Sequence, residues 1–278
     1  MSKLERPLPS RSENAGRSSV TPTPSDPIAG ATDTGRGALE RFPQKWELVL
    51  RPESAQVFKM EPVYPDRVDS SRSGQAPGTR YIGPVSLDAL LADIRACRAC
   101  APDFGHEPRP VLHVGEATRL LICGQAPGRR VHESGLSFDD PSGERLRGWL
   151  GVDRDTFYGH PAIGMAAMAF CYPGAAMGGG DRPPPARCAA LWRARLVAAL
   201  PRVELTLLLG RPAQLWALGA GAKGSMDAAV RGWRDTLPGV LMLPHPSWRN
   251  THWLNNNPWF EAEVTPWLRR KVAGILAT

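Results

Sequence analysis

The sequence predicts an α/β protein, a three-layer α/β/α sandwich around a central, mainly parallel four-stranded sheet. Three observations predict it. Four short apolar runs, at residues 120–124, 163–170, 205–210 and 240–244, have the continuous hydrophobicity of strands buried on both faces. Segments with apolar residues at helical spacing lie between them. The first and last runs break into turns rich in Gly or Pro, and in a parallel sheet the working site lies beyond the carboxyl ends of the strands.

Residues 1 to about 40 are rich in Ser, Thr, Pro, Gly and Arg and lack the apolar clusters that repay ordering entropy, so they are expected to be disordered. Residues 41–80 are ambiguous: Trp46, Leu48 and Phe58 offer groups that could dock loosely, while the Ser/Gly-rich stretch near Ser70 reads as a linker. The folded domain is placed at 81–278. Its first helix is capped by Ser86, carries Leu87, Leu90, Leu91 and Ile94, and runs into Cys97-Arg-Ala-Cys100. The first strand, 120–124, follows. Further helices are expected at 144–150, 187–200 and 212–218. A last helix spans 257 to about 276, with Asn257 as its cap, Pro258 at its first position, and Phe260, Val264, Trp267, Leu268 and Val272 at helical spacing.

The 278 residues, 42% hydrophobic, suffice for a substantial core. A net charge of +7 favours an anionic partner, because Lys and Arg that neutralise phosphates release condensed counterions. Neither a signal peptide nor a membrane span is visible, so a cytoplasmic protein without membrane contact is expected, acting as a monomer. Five cysteines in a reducing compartment read as metal ligands or catalytic thiols before disulfides. Cys97 and Cys100 form a CxxC, and Cys171 and Cys188 follow with sixteen residues between them. Four thiolates suit a [4Fe-4S] cluster or a structural zinc, and unligated thiols are the third alternative. Cys123, inside the apolar first strand, reads as a small buried hydrophobe.

Two loops carry the chemistry. In Leu121-Ile-Cys-Gly-Gln-Ala-Pro-Gly128 a strand breaks into a turn whose backbone N–H groups can converge on an anion or a carbonyl oxygen. In Leu243-Pro-His-Pro-Ser-Trp-Arg-Asn250 the prolines hold His245 rigidly at the same sheet edge. Their order and spacing, with Gly135-Leu-Ser-Phe138, Pro141-Ser-Gly-Glu-Arg-Leu146 and the preceding CxxC, resemble the signature segments of the uracil-DNA glycosylase superfamily over roughly residues 86–272. The cysteine spacing is similar to the ligand set of its iron-sulfur-containing, family 4-like branch.

The resemblance implies a base-excision DNA repair enzyme that hydrolyses the N-glycosidic bond of uracil or another deaminated base. It favours a [4Fe-4S] cluster on Cys97, Cys100, Cys171 and Cys188. Phe138 would stack the extruded base beside Gly124, and His245 with the backbone at Gln125 and Ala126 would stabilise the departing base anion. Ser247 would grip a phosphate, with Trp248 and Arg249 placed to wedge into the gap left by the base. Asp139 and His132 are candidates to activate water. Ala126 stands where some branches carry a water-positioning Asp; Gln125 replaces the Glu usual in the iron-sulfur branch, and Ala167 replaces that branch's base-reading Asn. These departures leave open a non-catalytic nucleic-acid binder on the same scaffold, or a hydrolase acting on small nucleosides.

Overall fold

The computed structural model describes residues 86–218 and 224–278, all of which fall within the unit Lys45–Thr278. The expectations for residues 1–80 and for a domain start at Tyr81 lie outside them. The apolar runs form four all-parallel strands, β1 (Leu120–Cys123), β2 (Ile163–Met165), β3 (Leu205–Leu209) and β4 (Val240–Leu243), in the order β2-β1-β3-β4. Strand β2 is shorter than its apolar run. From Ala166 onward the backbone turns to hold the loop after β1, with Met168 N–H donating to Gly124 O at 2.9 Å and Ala169 N–H to Gln125 O at 3.0 Å.

Alternation along the strands gives two cores, hence three layers. Leu120, Ile122, Leu207 and Leu241 face one helical layer. It is made of α3 (Pro141–Leu150), α4 (Arg154–Gly159), α7 (Met226–Arg231) and the C-terminal α9 (Thr265–Leu276). Leu121, Cys123, Leu208 and Met242 face the other, made of α1 (Leu87–Ala96), α5 (Ala186–Ala198) and α6 (Arg211–Leu218). The short helices α2 (Arg129–Ser134) and α8 (Thr251–Asn256) follow the loops after β1 and β4. Ser86 does cap α1, accepting from Ala89 N–H at 3.2 Å.

The C-terminal helix starts at Pro258 directly after Asn257 and runs to Leu276, as expected, and only its cap differs. Asn257 ends α8, and its side chain bonds Trp253 O, Arg231 and Trp259 rather than a helical N–H. Phe260–Val264 form a π-helical stretch before α9, which lets Phe260 and Val264 both reach the core. Cys123 is fully buried, as its run predicts, but it is no simple hydrophobe: the guanidinium of Arg193, also buried, contacts its sulfur and donates to Ala166 O at 2.7 Å.

Candidate active site

Beyond the carboxyl ends of the strands lies a cleft of about 850 Å3. The ends of β1, β2 and β4 line it, with Met165, Ala166 and Ala167 at β2, and the end of β3 lies against two of its residues. The turn Gly124–Gly128 leaves β1; Gly210 ends β3; Pro244–Arg249 follows β4. Gly210 marks where they meet: a Cβ there would lie 3.0 Å from the Gln125 amide and 3.1 Å from His245 Cβ. Arg145 of α3 fixes the loop after β4, donating to Ser247 O at 3.0 Å and Thr251 Oγ at 3.1 Å, and Asn250 donates to His245 O at 2.7 Å.

That anchoring selects the state of His245. Ser247 N–H points at its Nδ1, 3.3 Å away, so the neutral ring carries its proton on Nε2, a fixed donor. Burial pushes the pKa below the ordinary imidazole value, with the nearby Asp140 carboxylate opposing.

Phe138 lies against Gly124, where a Cβ would come within 3.3 Å of its ring, and makes an edge contact with Phe157 at 6.4 Å. Its φ of +58° is unusual for a bulky residue, and α3 holds it there. The start of that helix passes so close that a Cβ at Gly143 would lie 1.8 Å from Phe138 O, which only glycine permits.

Gly124, Gln125, Ala126, Phe138 and His245 all line this cleft, together with Ser247, Trp248 and Arg249. Two expected residues do not. Asp139 turns aside to pair with Arg154 at 3.0 Å, which holds its carboxyl below the usual range. Asp140 occupies the cleft instead, one oxygen capping α3 at Gly143 N–H, 2.9 Å away. His132 packs behind the cleft, its ring 4.7 Å from His106 and 5.9 Å from Tyr172; burial and then the His106 charge lower its pKa. Ala167 does line the cleft, with no side chain to read a base edge.

Sequence reasoning passed over Asp181. It belongs to a hairpin closed by an antiparallel bridge between Ala175 and Asp181, and it stands in the cleft near Gly128. Burial raises its carboxyl above the usual range, opposed by a hydrogen bond from Tyr172 and by the Arg249 charge. Its local sequence is a run of glycines, and only the bridge brings it into the cleft.

All four expected ligand cysteines line a second, apolar pocket with Phe104, Pro108 and Trp192 and no other ligating side chain. Burial and the neighbouring cysteines push the Cys171 thiol up to about 12, and burial first pushes Cys188 up to about 11. Among the described residues, no three His, Cys, Asp or Glu side chains are grouped as a single metal ion requires. The donor set fits a thiolate-held cluster by its chemistry. The free space in that pocket is small, about 20 Å3.

The family model for the uracil DNA glycosylase superfamily matches residues 113–269, more than half of the chain. The chain belongs to the uracil DNA glycosylase superfamily. The match spans both strand-end loops and Phe138. It also takes in Cys171 and Cys188 but begins after the CxxC. Among solved structures, a solution NMR structure from Methanosarcina acetivorans, provisionally described as a uracil DNA glycosylase, is 17% identical. It covers 58% of this chain and 97% of its own at a TM-score of 0.37, a likeness too partial to place individual residues. No helix among the described residues is long and apolar enough to cross a membrane.

Proposed function

We propose that this superfamily member is a DNA glycosylase that hydrolyses the N-glycosidic bond of uracil or another deaminated base. The observation that carries the reading is the convergence of Phe138, Gln125 and a His245 locked as an Nε2 donor in one cleft. The nucleotide leaves the stack, and its base lies against Phe138. As the C–N bond breaks, negative charge grows on the base. The neutral His245 donor and the backbone N–H groups at Gln125 and Ala126 stabilise it without reorganising. Ser247 and the cleft arginines hold the phosphates. Asp140 and Asp181, rather than Asp139, are the carboxylates placed in the cleft to orient water.

The iron-sulfur branch is part of this proposal. Cys97, Cys100, Cys171 and Cys188 would hold a [4Fe-4S] cluster, which supplies a structural clamp; zinc is the alternative. Ala126 and Ala167 in the cleft wall favour one second reading, a DNA binder without excision chemistry. Anaerobically purified protein is incubated with oligonucleotides carrying uracil, hypoxanthine or xanthine, and strand cleavage in alkali is measured beside His245→Ala. Cleavage lost in the variant supports the glycosylase and names its base. Binding without cleavage of any substrate supports the second reading.

A further inference from the structure

Four large apolar side chains are exposed among the described residues: Met177, Leu191, Leu218 and Trp248. Two of them belong to loops that build the cleft. Trp248 stands in its wall, 74% exposed, and Met177, wholly exposed, occupies the tip of the hairpin whose returning arm supplies Asp181 and Arg182 to it.

The hairpin is firmly built. Ala176 N–H donates to Gly180 O at 2.9 Å and Gly179 N–H to Ala176 O at 3.1 Å, while Gly179 and Gly180, at φ +86° and +82°, supply the left-handed turn. At its base Arg182 N–H donates to Gly174 O at 2.8 Å, and the Arg182 guanidinium donates to Asp103 O at 3.1 Å. Arg249 lies over Gly180, and the Arg249 guanidinium sits 5.2 Å from the Trp248 ring. Met177 and Trp248 are thus carried by one rim, joined through Arg249.

Charge indicates what meets that rim. Five arginines, at positions 129, 130, 145, 182 and 249, line the cleft against two aspartates, Asp140 and Asp181, which favours a polyanion. The tip itself is one thioether among Ala176 and three glycines, with none of the contiguous apolar area a protein partner would seek.

We propose that Met177 is a second wedge for duplex DNA, entering the base stack beside the Trp248 loop as the target nucleotide leaves. Apolar side chains inserted between base steps are an established way to hold a duplex kinked, and an unbranched Met adapts to the step it enters. The proposal rests on the DNA-glycosylase reading for its ligand but not on excision.

The test uses full-length protein and a duplex carrying a reduced abasic site with 2-aminopurine beside it, compared with the same labelled strand alone. Met177→Ala should weaken duplex binding about tenfold and blunt the rise in 2-aminopurine fluorescence, leaving single-strand binding unchanged. Met177→Leu should restore both. Equal losses on duplex and single strand, or an unchanged duplex, overturn the wedge. A wild-type protein that unstacks this duplex but cleaves none of the uracil, hypoxanthine or xanthine oligonucleotides of the excision assay overturns the excision reading while the wedge stands. A wild-type protein that binds no DNA overturns both.

Discussion

The cleft and the cysteine pocket share the stretch of chain from β2 into α5 and could hardly differ more. One is broad, about 850 Å3, and lined by arginines, aspartates and an imidazole; the other is apolar, about 20 Å3, and lined by thiols. Between β2 and α5 the chain serves both in turn. Ala167 faces the cleft, Phe170 and Cys171 the pocket, Asp181 and Arg182 the cleft again, and Pro185 and Cys188 the pocket. The wall that carries Asp181 and Met177 is therefore fastened at both ends beside cysteines. On the proposed reading the difference is a division of labour: one site would do chemistry with fixed dipoles, and the other would hold the first in shape.

The sharpest way to break that comparison is His245→Ala. Losing a preorganised donor should slow excision by about 10²–10³-fold with DNA binding retained. A variant with near-normal excision removes His245 from the chemistry. Phe138→Ala comes next: without the ring over Gly124, excision should fall about ten- to a hundredfold, measured under single-turnover conditions. An unchanged rate shows that the base stacks elsewhere.

Cys188→Ser tests the other side of the comparison. Iron and sulfide content should fall, and hydrogen exchange across residues 174–182 should rise, while residual excision keeps the wild-type pH profile. A variant as inactive as His245→Ala, with an altered profile, would mean that the two sites do not divide their roles.

The acid limb of that profile is a subtler effect. The active imidazole is neutral and its folded pKa is lowered, so excision should hold as pH drops through about 6.5 and decline only below it. Stability has the same sign. Between the two pKa values the unfolded chain binds more protons, so stability is fully present above the unfolded value and is lost as pH falls towards the folded one. An acid limb at or above 6.5 would make the working form a cation. The smallest effect belongs to Arg154→Ala. Asp139 is paired outside the cleft, so freeing it should leave excision unchanged; a clear loss would return Asp139 to the site.

Much of this was legible in the chain because it is local. Buried parallel strands must be continuously apolar, so all four were visible, and Ser86 announced α1 by its own hydroxyl. The GQAPG and HPS loops could be read because Gly and Pro punctuate strand ends. The last helix was read in place, but Asn257 does not cap it with its side chain, which bonds Arg231, Trp259 and the Trp253 carbonyl instead. Asp139 and Asp140 differ by one step in the chain, and no local pattern says which turns inward. Arg154 and the start of α3 decide it.

By itself the sequence determined the order of the four strands and of α1, α3, α5, α6 and α9, the two strand-end loops and the four spaced cysteines, since each depends on residue type and near neighbours. The short helices α2, α4, α7 and α8 went unread. Tertiary structure alone decided the rest. The Nε2 donor of His245 depends on a loop held by Arg145; the position of Phe138 depends on a glycine that lets α3 pass; Asp181 enters the cleft through a bridge closed six residues back. Each is a contact between segments, and the physical reason it escapes the sequence is that side-chain direction is fixed by what packs against it.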